Sequence, residues 1–156
     1  MRAVVQRVTR ASALEGDKIL GEIGRGLMVL VGIEACDTAE DALYLAQKIV
    51  RLRIFEDPSG KMNLSLGEVG GQILVVSQFT LLGDCRRGNR PSFANAAEPA
   101  QALTLYEEFL HRLRDSGADV KTGRFQARME VRLSNDGPVT ILVDSKRSFW
   151  AQPAVS

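Results

Sequence analysis

The stretch Gln72-Ile73-Leu74-Val75-Val76-Ser77-Gln78-Phe79-Thr80-Leu81 joins an apolar run to a small polar cluster. A short apolar run rich in β-branched residues predicts a central strand over residues 72–78. The polar residues come where that strand ends, which is where a site would be built. On local chemistry alone, Ser, Gln and Thr at the edge of a sheet are more often structural than functional. The stretch therefore predicts the middle of the fold first and suggests a site second.

The segments around this strand predict a mixed α/β fold. Alternating or continuous apolar runs predict strands, and glycine-rich turns separate them. Apolar residues at helical spacing predict two helices. Thr38 and Asp41 mark the start of the first helix, whereas Pro99 marks the start of the second and Gly117 lies just past its end. Strands are predicted at residues 2–10, 26–33, 54–55, 72–78, 120–122, 129–133 and 139–143, a hairpin over 12–23, and helices at 39–51 and 99–116.

This order of elements favours a single α/β domain over residues 1–156, with mixed β-sheet layers and two helices packed on one side. No repeat or linker in the sequence divides the chain. The last residues, Trp150 to Ser156, are predicted to fray unless a partner chain covers Phe149 or Trp150.

A second motif, Asn135-Asp136-Gly137-Pro138-Val139-Thr140, joins the last two predicted strands. On local chemistry, Asp136-Gly137 predicts a hairpin turn. The alternative is a cis Gly137-Pro138 peptide, which would turn two main-chain carbonyls to one side with no side chain in the way. Such carbonyls can accept hydrogen bonds from the α-amino group of a substrate and so favour one of its mirror images.

The composition is that of an ordinary globular chain. Apolar residues make up 45% and charged residues 25% of the 156, and the formal net charge is +1, so the chain as a whole is not a polycation. The charges near the start argue against a signal peptide, and the lack of a long apolar run argues against a membrane span. The sequence therefore predicts a cytoplasmic protein. Cys36 and Cys85 have no ligand-like partners nearby in sequence, so reduced thiols and no metal site are expected. The single histidine, His111, falls at the edge of a helical apolar face, a position typical of a surface histidine.

These features limit the chemistry that the chain is expected to perform. Without metal ligands, a phosphate-binding glycine motif or a well-placed imidazole, catalysis would depend on backbone amides and small polar side chains. That arrangement suits a substrate that is already reactive, such as an aminoacyl ester on a ribose hydroxyl. A glycine-rich loop with Arg86, Arg87 and Arg90 could hold phosphates, although basic loops are more often simply solvated.

The motifs SQFTL and NDGPVT, with MRAVVQRVTRAS, GLMVLVGI, KIVRLRIFED and GNRPSF, resemble the D-aminoacyl-tRNA deacylase (D-tyrosyl-tRNA deacylase) family over nearly the whole chain. The resemblance implies a three-layer α/β/β fold and a cytoplasmic homodimer with its active site at the subunit interface. It implies hydrolysis of the ester bond of D-aminoacyl-tRNA and of mischarged glycyl-tRNA, without a cofactor. It also implies that L-aminoacyl-tRNA is rejected by a cis Gly137-Pro138 that reaches in from the other subunit.

The resemblance assigns roles to individual residues. The Phe79 backbone amide is the implied oxyanion donor, and Gln78 is expected near the terminal ribose. Arg7 is expected to orient the Gly-Pro loop, with a surface charge on an edge strand as the alternative, and Met129 to line the pocket, with an ordinary core residue as the alternative. The implied site residues are Ser77, Gln78, Phe79 and Thr80 for catalysis, Gly137, Pro138, Arg7 and Met129 for substrate binding, and Arg86, Arg87 and Arg90 for tRNA binding.

Three functional hypotheses remain open at this point. For a deacylase, assistance by the free ribose hydroxyl is favoured over attack by Thr80, because a threonine hydroxyl is a weak nucleophile without an adjacent base. A non-catalytic RNA-binding module would use only the basic loop. A hydrolase of free D-amino-acid esters or peptides would not need that loop.

Overall fold

The computed structural model describes residues 1–147, and it shows a central sheet, a small second sheet and two α-helices. The predictions for Phe149 and for residues 150–156 lie outside the described residues. The elements are β1 (Arg2–Glu15), β2 (Lys18–Ile23), β3 (Gly26–Gly32), α1 (Ala39–Val50), β4 (Phe55–Glu56), β5 (Met62–Leu64), β6 (Gln72–Ser77), a 3₁₀ turn (Phe79–Leu82), α2 (Pro99–Asp115), β7 (Asp119–Thr122) and β8 (Glu130–Asp144).

The central sheet has the strand order β2-β1-β3-β6-β7, and β8 also pairs with β1. Strands β3, β6 and β7 run parallel to one another, whereas β1 is antiparallel to both β3 and β8. Strands buried in a parallel arrangement are continuous apolar runs, and β3 and β6 fit that rule. The predicted mixed sheet is therefore confirmed.

The second β layer arises because β1 continues beyond its predicted end at residue 10. Residues 2–8 of β1 pair with β3, residues 11–15 pair with β2, and β8 follows β1 along both parts. One apolar cluster joins the second part of β1 to the sheet face away from the helices: Val8, Ala11, Ala13, Ile23, Met28, Leu74 and Val76. On the other face the sheet packs against both helices through Val29, Val75, Leu45, Ile49, Phe109 and Leu113. The predicted order of helices, sheet and second β layer is confirmed.

Both helices begin at their predicted signals, and α2 also ends at its predicted signal. The Asp41 carboxylate accepts the Thr38 N–H at 2.9 Å, and it also accepts a hydrogen bond from the Lys146 ammonium at 2.7 Å. Burial raises the pKa of Asp41. Hydrogen bonds from Lys146, Ser145 and Thr38 together lower it by more, so the pKa of Asp41 lies below its ordinary value. Pro99 starts α2, and Gly117 follows its end with φ +86°. Neither of the two helices in residues 1–147 is long and apolar enough to cross a membrane.

The hairpin turn predicted at Asp136-Gly137 is wrong, because strand β8 continues through this dipeptide. The residues on both sides of this dipeptide pair with β1 in the antiparallel sense, so the chain bulges there without reversing. The Gly137-Pro138 peptide is cis, and Gly137 has φ +119°. Asp136-Gly137 does change the local backbone conformation. The chain nevertheless keeps its direction, because β8 pairs with the long strand β1 on both sides of the dipeptide.

Gly26→Ala is expected to lower the free energy of unfolding by about 3 kcal/mol, because a Cβ at Gly26 would lie 1.9 Å from the main-chain oxygen of Gln72. The two strands would have to separate at the start of the parallel pair. Urea denaturation at one protein concentration measures the change. Gly24→Ala is the control, since its Cβ has 4.0 Å to the nearest atom, and it should change stability by less than about 0.5 kcal/mol. Equal stability of the two variants would contradict the close approach.

Candidate active site

A cavity of about 530 Å³ opens where the parallel strands β3 and β6 end at their carboxyl side. In sheets of this kind that edge is the usual place for a ligand site. Ser77, Gln78, Phe79 and Met129, all predicted from the sequence, line the cavity. The other lining residues are mostly apolar: Val31, Ile33, Val76, Ala96, Ala97, Pro99, Ala102, Phe125, Gln126, Ala127 and Val131.

Main-chain hydrogen bonds fix the turn that follows β6. The Gln78 N–H donates to the Val31 carbonyl at 2.7 Å, and residues 79–82 then form the 3₁₀ turn. Within residues 1–147 the Phe79 N–H donates to no acceptor. Gly32 allows the turn to come this close, since a Cβ there would lie 3.0 Å from the Gln78 oxygen. The Phe79 amide is therefore held in place and available to a ligand.

The side chains of this turn form the mouth of the cavity. Gln78 Nε2 donates a hydrogen bond to the Thr80 hydroxyl. Thr80 is exposed and does not line the cavity. The Phe79 side chain is 59% exposed and packs edge-on against Phe93, with 5.0 Å between the ring centroids. Such an exposed aromatic pair offers a surface for a nucleobase or a second chain.

Tyr106 and Gly123, to which the sequence assigned no role in a site, hydrogen-bond to strand β6 behind the cavity. The buried Tyr106 hydroxyl donates to the Val75 carbonyl at 3.2 Å, and the Gly123 N–H donates to the same oxygen at 3.1 Å. Phe125, which lines the cavity, lies 5.8 Å from the Tyr106 ring. Burial raises the pKa of Tyr106, so its hydroxyl stays a proton donor. The only sequence signal for Tyr106 was its place in the apolar stripe of α2, which predicts core packing and not this hydrogen bond.

Arg7 is buried beneath the Gly-Pro loop, with 4% of its surface exposed. Its Nη1 donates to the Ile54 carbonyl at 2.7 Å and its Nε donates to the Asp136 carbonyl at 3.2 Å. Its charge is balanced by the carboxylates of Asp136 at 3.1 Å and Glu56 at 3.8 Å. The alternative of an edge-strand surface charge is therefore wrong, and Arg7 contacts the loop that the resemblance assigned to it.

Within one chain the two motifs lie at opposite ends of the sheet. Val8 pairs with Gly26 at the amino end of β3 and with Asn135 at the edge of the Gly-Pro loop. Val31, which is further along β3, lines the cavity. The loop lies opposite Arg7, which pairs with Leu27. At about 3.3 Å per residue, the four residue steps from Leu27 to Val31 put the loop and the cavity about 13 Å apart along the strands. The exposed Gly137-Pro138 pair does not line the cavity. The structure therefore brings Ser77, Gln78, Phe79 and Met129 together and leaves Gly137, Pro138 and Arg7 apart from them.

The basic loop contains one internal ion pair. Arg86 lies 2.6 Å from Asp84 and holds the pKa of that carboxyl down at about 2. Arg87 and Arg90 are exposed, and neither has an ion-pair partner in the described part of the chain. The loop ends beside Phe93, whose ring packs at the cavity mouth. Arg87 and Arg90 are thus the cations of this loop that are available to an outside partner.

The other reactive side chains do not line the cavity. His111 is exposed, as predicted, and lies 3.2 Å from Asp115 on the surface of α2. Cys36 and Cys85 are exposed free thiols. No titratable side chain of residues 1–147 lines the cavity, and its polar side-chain groups are the Ser77 hydroxyl and the Gln78 and Gln126 amides.

Comparison with known proteins gives one consistent family. Residues 4–144 match the family described as D-Tyr-tRNA(Tyr) deacylase. The D-aminoacyl-tRNA deacylase of Bacillus licheniformis is 61% identical over 146 residues, covering 94% of this chain and 99% of the relative. That of Thermotoga petrophila is 57% identical over 149 residues, covering 96% and 100%.

Solved structures share the fold. The c-Myc DNA Unwinding Element Binding Protein superposes with a TM-score of 0.87 at 45% identity, over 92% of this chain and 98% of that chain. A probable eukaryotic D-amino acid tRNA deacylase superposes with a TM-score of 0.78 at 23% identity, over 91% and 97%. These similarities confirm the predicted α/β class.

Proposed function

The chain belongs to the D-Tyr-tRNA(Tyr) deacylase family, and from that membership we propose that it hydrolyses the ester bond of D-aminoacyl-tRNA and leaves L-aminoacyl-tRNA intact. The observation that carries this proposal is the family match over residues 4–144, with relatives at 61% and 57% identity along nearly their full length. The chain is therefore a hydrolase that acts on aminoacyl-tRNA. Free D-amino acid and tRNA are the products.

The proposed mechanism uses the turn after β6. The Phe79 N–H donates to the oxyanion that develops on the ester carbonyl, because it is held by the turn and has no other acceptor in residues 1–147. Gln78 lies near the terminal ribose. Water attacks the ester carbonyl carbon, and the free ribose hydroxyl assists proton transfer to the departing ribose oxygen, since no titratable side chain of residues 1–147 lines the cavity. Thr80 orients Gln78 through their hydrogen bond and is not the nucleophile. Ser77 and Met129 shape the cavity wall.

A second copy of the chain supplies the chirality check in this proposal. The exposed Gly137-Pro138 pair is about 13 Å along the sheet from its own cavity, so a two-fold axis that places each loop at the partner's cavity would complete two equal sites. On the sheet face away from the helices, Val4, Leu30 and Leu142 lie in one row, and Leu142 is 51% exposed. This row offers apolar surface for contact with the second copy of the chain. The carbonyls of Gly137 and Pro138 then hold the α-amino group so that an L side chain strikes main-chain atoms.

In the proposed complex the basic loop binds the phosphates of tRNA, mainly through Arg87 and Arg90, because Arg86 is paired with Asp84. The double variant Arg87→Ala/Arg90→Ala should weaken tRNA binding. It should also make the negative slope of log affinity against log salt concentration shallower by about 2, one for each lost phosphate contact. Fluorescence titration at several salt concentrations measures this slope.

A variant with the same loss of charge elsewhere serves as the control. Lys48→Ala/Arg51→Ala removes two exposed cations of the α1 region and should leave the salt slope within about 0.5 of the wild-type value. A loop variant that kept the wild-type slope would remove the loop from the proposed tRNA surface.

The substrate class is tested by comparing three esters. D-tyrosyl-tRNA should be hydrolysed much faster than D-tyrosine ethyl ester, and glycyl-tRNA should be cleaved as well, because glycine has no β-carbon for a main-chain filter to reject. Equal rates on the small ester would favour a hydrolase of free D-amino-acid esters. Binding of tRNA without release of any amino acid would favour the RNA-binding module. The proposed place of action is the cytoplasm, where tRNA is charged.

A further inference from the structure

Strand β8 leaves its ladder for a short loop that carries the Gly-Pro pair. Gln6 pairs with Thr140, and Val8 pairs with Asn135, so β8 advances five positions where β1 advances two. The four residues between Asn135 and Thr140 lie opposite a single residue of β1, Arg7. Because they lie outside the ladder, their N–H and C=O groups need other partners.

The Asn135 side chain closes the base of this loop. Its Oδ1 accepts the Val139 N–H at 2.9 Å, and its Nδ2 donates to the Thr140 hydroxyl oxygen at 3.0 Å. The same Thr140 oxygen accepts a hydrogen bond from Gln6 Nε2 at 3.2 Å, which ties the closed loop to β1. Side-chain hydrogen bonds of Asn135 thus replace the ladder at the point where the loop returns to the sheet.

Arg7 and Asn135 hold the two ends of the loop. Arg7 donates to the carbonyl of Asp136, just before the Gly-Pro pair, and Asn135 binds the N–H of Val139, just after it. A short loop held at both ends has little freedom to turn its carbonyls. Losing either support would let the loop rotate while the cavity, on the other end of the sheet, stays intact.

We propose that Asn135 is a positioning residue for the chirality check, acting through the direction of the Gly137 and Pro138 carbonyls and not by touching substrate. The inference rests on the proposed function, in which these carbonyls select the D substrate. A filter made of main-chain atoms depends on their exact placement, since no side chain can readjust. Asn135 therefore affects the ratio of D to L hydrolysis more than it affects stability.

The test compares Asn135→Leu with Asn135→Asp, using the ratio of initial rates for D-tyrosine and L-tyrosine release from charged tRNA. Leucine has a similar size and removes both hydrogen bonds, so the ratio should fall by about tenfold or more. Aspartate keeps an acceptor for the Val139 N–H and can accept a hydrogen bond from the Thr140 hydroxyl. It should therefore keep the ratio within about threefold of the wild type.

Thr140→Val is the second variant, since it keeps the side-chain shape and removes only the oxygen that Asn135 and Gln6 share. It should lower the same ratio by about threefold. If Asn135→Leu folds, assembles and melts like the wild type and keeps its ratio, the inference is overturned. If Asn135→Leu does not fold, Thr140→Val decides, and an unchanged ratio overturns the inference. A wild-type enzyme that releases both enantiomers equally would refute the proposed function itself, and this inference with it.

Discussion

Gly137→Ala should lower the rate of D-tyrosine release from D-tyrosyl-tRNA by about 100-fold, which is the effect that a misplacement of about 1 Å has in an active site. A Cβ at Gly137 would lie 2.8 Å from Cγ2 of Val139 and 3.0 Å from Nη2 of Arg7. Gly137 also has φ +119°, which residues with a side chain rarely adopt. The buried Arg7 cannot retreat, because its Nη1 is bonded to the Ile54 carbonyl. The loop must therefore move, and its carbonyls with it.

Gly67→Ala is the matched control for this variant. No atom lies within 4 Å of a Cβ at Gly67, so this protein should keep its activity within about twofold and its melting temperature within a few degrees. Melting curves and sedimentation show whether Gly137→Ala is folded and assembled. A folded, dimeric Gly137→Ala protein with wild-type turnover and selectivity would contradict a role for the loop in the site.

Mixed dimers should recover activity that neither parent has. Gly137→Ala damages the loop, and Ala102→Trp fills the cavity, because Ala102 lines it from α2. If the loop of one copy serves the cavity of the other, a dimer with one subunit of each kind has one intact cavity facing one intact loop. A purified mixed dimer should then show about half of the wild-type rate, since one of two equal sites is complete. Co-expression with two different C-terminal tags and tandem purification gives this species.

The parent homodimers, carried through the same purification, set the background rate. The double variant Gly137→Ala/Ala102→Trp paired with a wild-type chain is the second control. In that dimer both changes lie on one subunit, and each remaining half-site lacks its partner, so little activity is expected. About half of the wild-type rate in this control, with none in the mixed dimer, would place cavity and loop of the same chain in one site.

Local signals in the sequence were enough to predict most elements. The unbroken apolar runs of β3 and β6 identify buried parallel strands. Pro99 and Gly117 identify both ends of α2, because the proline needs no N–H partner and the glycine adopts a positive φ. The polar cluster after β6 is found at the cavity for a related reason: the carboxyl ends of parallel strands meet at one edge.

Non-local pairing accounts for what the sequence did not predict. Asp136-Gly137 is a turn signal, yet β8 continues past it because β1 is long enough to pair on both sides. Arg7 is buried between residues 54–56 and the Gly-Pro loop, which come from two distant parts of the chain. Tyr106 supports Val75 across the helix–sheet interface. None of these contacts leaves a periodic signal in the sequence, so each needs the assembled fold.

Chiral selection on tRNA is tested most directly by timing the release of D-tyrosine and of L-tyrosine from the same tRNA with the purified wild-type enzyme. We expect D-tyrosine to be released about 100-fold faster or more. The reason is that the Gly137 and Pro138 carbonyls exclude the side chain of the L enantiomer from the cavity. The uncatalysed hydrolysis of each ester is subtracted. Equal rates for the two enantiomers, or faster release of L-tyrosine, would contradict a filter made by Gly137-Pro138.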